Sequence, residues 1–247
     1  MTRRGPRREG LSALHRAWRH RIRRYHASVI DTETLRGVEL FAGLPADQVE
    51  AVAAQSRLVK LTRGDQLFDH SDEPDALFVV LDGRVAILNT AADGRESMVA
   101  LMEGGDLFGE LPLFDGRPRS ASARALEASE VVHIPYTALR AVYDAHPELL
   151  WDVLRLLAQR LRTTDEALAD SVFLDVTGRT AKRLLELASG EDEFVLPITQ
   201  EELAGMIGAS RERVNKAISS FVRLGWIEQA DRRYRILDRP QLERRSR

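Results

Sequence analysis

The apolar positions of this chain change their period twice, and the changes divide it into three kinds of segment. From about Ile30 to Leu58 they recur at helical spacing, with Val38, Leu40, Phe41 and Leu44 ahead of a helix start at Pro45-Ala46-Asp47. Between Val59 and Pro135 they become short runs: Leu67-Phe68, Leu77 to Leu81, Val85 to Leu88, Met98 to Met102 and Val131 to Ile134. Turn signals separate the runs, at Arg63-Gly64-Asp65, Glu73-Pro74-Asp75, Asp82-Gly83, Asp93-Gly94 and Glu103-Gly104-Gly105-Asp106. Short strands at this even spacing predict an antiparallel barrel or roll rather than a parallel sheet.

Helical period returns from about Thr137. Leu150, Leu154, Leu157, Leu161, Thr164 and Leu168 alternate four and three residues apart, the seam of a heptad repeat. Such a seam on an otherwise charged helix predicts contact with a second helix, and a symmetric pairing makes the chain a homodimer. Asp175-Val176-Thr177-Gly178-Arg179 reads as a helix stop and restart, a hinge between domains. Beyond it come a helix over Thr180 to Ala188, two helices split by a tight turn, and a two-strand wing over Gly225 to Leu237. The expected class is α+β, in three parts: an antiparallel β-roll over 29–136, a long dimerisation helix over 137–174, and a winged helix-turn-helix over 175–247.

Composition narrows the functional classes. The chain has 247 residues and no cysteine, so it forms no disulfide and holds no thiolate-ligated iron–sulfur cluster. No apolar run reaches the roughly 18–20 residues of a membrane span, and there is no signal-peptide core, which together predict a cytoplasmic protein. The net charge of −2 conceals an asymmetry. Residues 1–28 hold nine Arg against one Glu, residues 29–176 hold 13 basic against 26 acidic residues, and residues 177–247 hold 14 against 11. A polyanion is repelled by the middle and tolerated by the ends. Residues 1–28 also carry Leu11, Leu14, Trp18, Ile22 and Tyr25 at helical spacing. This basic extension is expected to be disordered; nucleic acid, a membrane surface and the rest of the protein are alternative partners for it.

Two constellations carry chemistry. In the first, Ile198 to Leu224 reads as helix-turn-helix. Thr199-Gln200-Glu201-Glu202 resembles a capping box, Leu203, Ala204, Met206 and Ile207 supply an apolar face, and Gly208-Ala209 make the turn. Ser210 can cap the second helix, whose buried stripe is Val214, Ala217, Ile218 and Phe221. Arg211 and Lys216 suit guanine acceptors, and Glu212 suits a cytosine amino group. Thr199, Gln200, Ser210 and Arg213 suit phosphate contacts. Basic residues at a helix start oppose its dipole, so their presence there favours a partner such as double-stranded DNA. In the second constellation, a short helix starting at Gly109, with Leu111 following, aims backbone N–H groups at an anion, and Pro112 is tolerated in its first turn. Arg119 offers a bidentate grip on a phosphate, Ser120 adds a hydroxyl, and Glu110 can accept from a ribose hydroxyl.

Over roughly residues 36–237 the chain resembles the superfamily of the cyclic-AMP receptor protein and the fumarate–nitrate regulator. Phe108-Gly109-Glu110-Leu111, Arg119-Ser120-Ala121, Phe173 to Arg179, and Gly208-Ala209-Ser210-Arg211-Glu212 carry the likeness. The resemblance implies a β-roll, a dimer helix, a winged helix-turn-helix, and RNA polymerase as a partner. It also implies symmetric sites with TGTGA half-sites. The base-reading positions of the cyclic-AMP branch carry Arg, Glu and Arg; here they are Arg211, Glu212 and Lys216, so only the last departs. The branch meets the purine through Thr followed by Ser or Asn on the dimer helix, where this chain has Thr164 and Asp165. A carboxylate can accept from an adenine amino group, or twice from a guanine edge. The expected ligand is therefore cyclic AMP, with cyclic GMP the alternative and no metal. A further alternative keeps the DNA-binding architecture but has lost the ligand.

Rival classes are less well supported. His70, His133 and His146 stand in no haem-ligand motif, and the acidic pairs Asp72-Glu73 and Asp192-Glu193 are more simply solvating than catalytic. No phosphate loop, zinc pattern or serine elbow is present, so the chain is not expected to be an enzyme. A nucleotide-sensing module of a kinase or channel is opposed by the segment Thr199 to Phe221.

Overall fold

A computed structural model of the protein describes residues 30–247, apart from positions 31, 42, 92, 93 and 95. The basic extension over 1–28 lies outside the described residues. The chain opens with helix α1 (Thr32–Arg36), a 3-10 turn (Glu39–Phe41) and α2 (Ala46–Gln55), and the first strand follows at once. The roll is built from β1 (Arg57–Leu61), β2 (Gln66–Phe68), β3 (Ala76–Asp82), β4 (Val85–Thr90), β5 (Glu96–Met102), β6 (Leu107–Phe108), β7 (Ser122–Ala125) and β8 (Ser129–Pro135). Helix α3 (Leu111–Asp115) interrupts it between β6 and β7.

These strands form two four-stranded antiparallel sheets, ordered β1-β8-β3-β6 and β2-β7-β4-β5. Val59, Phe68, Phe78, Val80, Val85, Phe108 and Ala123 are buried together in one cluster that draws on both sheets. The tight β3–β4 turn depends on Gly83, which has φ +81°; a Cβ there would stand 2.5 Å from the Ala128 carbonyl oxygen. Only glycine takes that conformation without strain and also leaves that space.

The segment expected as one dimerisation helix is two helices. Helix α4 (Tyr136–Ala145) ends at His146, a 3-10 turn (Pro147–Leu149) follows, and α5 spans Leu150–Phe173. Pro147 has no N–H and disfavours helical geometry in the residue before it, and His146 accordingly sits at φ −130°, ψ 68°. Helix α4 buries Tyr136, Leu139, Val142 and Tyr143 in the roll's second core. Helix α5, by contrast, has 24 residues and buries only Val153 among those described.

Asp175 then caps α6 (Val176–Ala188), accepting from the Gly178 N–H at 2.7 Å, so the helix restarts at the hinge itself. The remaining elements are β9 (Glu193–Val195), α7 (Gln200–Ile207), α8 (Arg211–Arg223), β10 (Ile227–Ala230), β11 (Arg233–Ile236) and α9 (Arg239–Arg245). The wing is a three-stranded sheet in the order β10-β11-β9, one strand more than the alternation predicts. Helix α7 packs on β5 of the roll. Ala86, Leu88, Met98 and Leu126 share a single apolar cluster with Leu203, Ala204 and Ile207, and the Ser97 hydroxyl donates to the Gly205 carbonyl at 3.1 Å. No described helix is long and apolar enough to cross a membrane.

Candidate nucleotide pocket and DNA-reading face

The first candidate site lies where the roll meets α5. Gly109 follows β6 with φ +78°, and a Cβ on it would come within 2.6 Å of Arg119 Nη1. That left-handed turn keeps Gly109 out of the helix expected to start there: α3 begins at Leu111, with Glu110 at its N-cap and Pro112 in its first turn. The five-residue helix is too short to be an anion site by itself, so the chemistry rests on side chains.

Arg119 is buried, 4% exposed, with its guanidinium 4.2 Å from the centroid of the Phe68 ring. Nη1 donates to the Gly109 carbonyl (2.8 Å) and to Tyr136 Oη (3.1 Å), and Nη2 donates to the Ala76 carbonyl (2.6 Å). The Tyr136 hydroxyl donates to the same Gly109 oxygen. Nε is buried without a partner among the described residues. Burial lowers the guanidinium's pKa, opposed first by Tyr136 and then by Asp75, but an arginine starts so high that it remains a cation. Burial also pushes the Tyr136 phenol up to about 12, so at neutral pH it is an uncharged donor. A buried cation with an unused N–H can take an anion.

Glu110 is 3% exposed and accepts from Arg160 Nη1, while Arg160 Nη2 donates to the Leu107 carbonyl. One guanidinium on α5 thus holds both the loop carboxylate and the strand behind it. Thr164 and Asp165 stand one turn further along α5, both exposed, and the Thr164 hydroxyl donates to the Arg160 carbonyl at 2.9 Å. Leu111 and Ser120 are exposed. Arg160 and Tyr136 were not singled out from the sequence. The available signal for Arg160 was its place four residues before Thr164; Tyr136 had none beyond its position after β8.

The second candidate site is the exposed side of α8. The Thr199 hydroxyl accepts from the Glu202 N–H at 3.2 Å and the Glu202 carboxylate accepts from the Thr199 N–H at 2.6 Å, a complete capping box on α7. Ser210 caps α8, accepting from the Arg213 N–H at 3.4 Å. Both hydroxyls spend lone pairs on the caps and keep their O–H for an acceptor such as a phosphate. Val214, Ala217, Ile218 and Phe221 are buried, so Arg211, Glu212, Arg213 and Lys216 are left exposed, with Thr199 and Gln200 half-buried nearby in sequence. Arg179 ties this unit to the hinge: Nε donates to the Ile207 carbonyl (3.0 Å) at the end of α7, and Nη1 to the Leu174 carbonyl (2.7 Å) after α5. It therefore satisfies carbonyls at two helix ends at once.

Residues 58–146 match the cyclic nucleotide-binding domain family, and residues 178–245 match the Crp-like helix-turn-helix domain family. The chain is 38% identical over 222 residues to the CRP-like cAMP-activated global transcriptional regulator of Mycobacterium tuberculosis (strain ATCC 25618 / H37Rv), covering 87% of this chain and 99% of that protein. The chain belongs to the cyclic-AMP receptor protein and fumarate–nitrate regulator superfamily. As a superfamily member it is a DNA-binding transcription regulator with a cyclic nucleotide-binding domain, and its relatives are not enzymes. It is also 35% identical over 159 residues to the cAMP-activated global transcriptional regulator CRP of Escherichia coli O157:H7, covering 62% of this chain and 76% of that one. The superfamily fold appears in FixK2 from Bradyrhizobium japonicum, with a TM-score of 0.71 at 18% identity over 78% of this chain and 98% of that chain.

Proposed function

We propose that this superfamily member is a homodimeric regulator whose affinity for palindromic TGTGA-like DNA is set by a cyclic nucleotide, cyclic AMP in the first place. The observation that carries this is the ion pair of buried Glu110 with half-buried Arg160 beside Arg119, which joins the candidate pocket directly to the long helix. When bound, the nucleotide supplies an anion to Arg119 and a ribose hydroxyl to Glu110. Arg119 would hold the phosphate through its spare Nε–H, with Ser120 and the Gly109–Leu111 backbone beside it. Glu110 would divide its lone pairs between that hydroxyl and Arg160, so a change in the loop is felt on α5. Thr164 and Asp165 would meet the base. The Mycobacterium and Escherichia relatives are both cAMP-activated regulators, which favours adenine; the carboxylate of Asp165 keeps cyclic GMP as the alternative. A chain that had lost its ligand would have little reason to keep Glu110 and Arg119 under the surface at the cost of desolvation.

The exposed seam of α5 supports the dimer, since Leu154, Leu161 and Leu168 are each more than half exposed. In the dimer the α5–α6 corner would orient two α8 helices, with Arg211, Glu212 and Lys216 reading bases and Thr199, Gln200, Ser210 and Arg213 holding phosphates. RNA polymerase is the partner that the resemblance implies. The test is a gel shift on a TGTGA palindrome at fixed salt with cyclic AMP, cyclic GMP and neither. Tighter binding with one nucleotide is expected, by about 5- to 150-fold. Binding that ignores both would leave a nucleotide-independent regulator. Arg211→Ala should cost about 1–3 kcal/mol on the palindrome; an equal loss on random DNA would remove its base-reading role.

A further inference from the structure

The C-terminal helix α9 lies against α6, with Leu242 fully buried. Its start is fixed: Asp238 caps it, accepting from the Gln241 N–H at 3.2 Å, and Arg239 bonds Asp192 (2.8 Å) and the carbonyls of Gly190 (3.1 Å) and Glu191 (2.7 Å). Its end carries Arg245, whose Nη2 donates to both carboxylate oxygens of Asp175. Asp175 is the N-cap of α6, at the corner where α5 hands over to the DNA-reading unit. The helices meet closely there, because a Cβ on Gly178 would stand 3.0 Å from the Arg245 carbonyl oxygen.

We propose that Arg245 is a positioning residue: by holding Asp175 it fixes the angle at which the DNA-reading unit leaves the long helix. The other ties across this corner, Lys182 to Asp170 (2.5 Å) and Arg179 to the Leu174 carbonyl (2.7 Å), come from α6 itself. Arg245 arrives from α9, beyond the wing in sequence, so it joins the hinge cap to the C-terminal helix that packs on α6. The cap bond from the Gly178 N–H to Asp175 is separate from the Arg245 bonds, so the tie can be tested apart from the cap of α6. The consequence for nucleotide control rests on the function proposed above; the consequence for DNA affinity does not.

The experiment measures DNA affinity at fixed salt, nucleotide Kd, and amide exchange of residues 174–180 in Arg245→Ala, Asp175→Asn, Arg245→Lys and the Arg245→Ala/Asp175→Asn double variant. Asp175→Asn retains an oxygen for the Gly178 N–H and removes a negative charge, so simple electrostatics would raise its DNA affinity. The positioning role requires the reverse. Both single changes are expected to weaken DNA binding about two- to fivefold, the scale of a half-exposed ion pair. They should also speed exchange at the corner and leave nucleotide Kd unchanged. The double variant should be no worse than either single one, and Arg245→Lys should recover part of the loss. Tighter DNA binding by Asp175→Asn, additive losses, or unchanged exchange at 174–180 would overturn the proposal. A wild-type protein indifferent to both nucleotides would defeat the sensor function alone, and the DNA and exchange differences would still decide the role of Arg245.

Discussion

At the scale of residues, Arg119 is a cation gripped by two backbone carbonyls and a phenol, stacked on Phe68, with its Nε–H left without a partner among the described residues. Lysine cannot reproduce this, because its ammonium is a point donor with no planar fork. Arg119→Lys is expected to weaken cyclic-nucleotide binding about 10- to 100-fold by calorimetry, the loss of one or two charged hydrogen bonds; an unchanged Kd would take the phosphate away from Arg119. His133 makes a second, separate case. It is buried on β8, edge-on to Phe78, with Nε2 3.0 Å from Arg57 Nη2. Burial first, then the Arg57 charge, depress its pKa from 6.5 to about 4. The unfolded chain therefore binds a proton below about pH 6.5 that the folded chain refuses until about pH 4. Stability from this group is complete above that window and is lost as pH falls through it. His133→Gln keeps an acceptor for Arg57 and should flatten the acid limb by roughly 2–3 kcal/mol, read from urea midpoints between pH 7 and 4.5. A parallel decline in both proteins would contradict it. Charge types were legible at this scale, burial was not: the Arg119-Ser120-Ala121 stretch marks Arg119 by its likeness to the superfamily, but no local pattern says that it is buried while Arg117 two residues earlier is exposed.

Among elements, α5 matters most, because it has 24 residues and almost no core of its own. A helix that exposes Leu154, Leu161 and Leu168 loses hydrophobic stabilisation unless another surface covers the seam. If the seam pairs two copies as proposed above, placing a charge at its centre should separate the protomers without unfolding them. Leu161→Arg is expected to shift the sedimenting species from dimer to monomer and to weaken DNA binding by at least tenfold, since each protomer then reads one half-site alone. A dimer of unchanged affinity would move the interface elsewhere. The heptad spacing from Leu150 announced this helix, but the helix expected over 137–174 also took in α4. The break at Pro147 was visible as a residue; that α4 belongs to the roll became clear only from which side chains it buries.

Across the whole molecule, the contact between β5 and α7 joins the sensing and reading halves. Met98 is buried in a cluster with Leu203, Ala204 and Ile207, and next to it the Ser97 hydroxyl bonds the Gly205 carbonyl. The exposed side of α8 stays open in this arrangement. Met98→Asp puts a carboxylate into the contact and should speed amide exchange in β5 and α7 while α8 keeps its protection, because α8 packs on its own domain. Exchange confined to β5 would mean that the two halves are not held together there.

The sequence by itself determined the antiparallel roll, the long seam helix and the helix-turn-helix, because each rests on a local period, a cap or a turn residue. Thr199 with Glu202, Gly208 and Ser210 act within a few residues of one another, and their roles can be read in order. Only the tertiary structure brought Arg160 to Glu110, Tyr136 to Arg119, Met98 to α7 and Arg245 to Asp175. The three polar pairs lie 17 to 70 residues apart, and at the β5–α7 contact Ser97 lies 108 residues before Gly205. They depend on how sheets and helices pack, and periodicity carries no information about that.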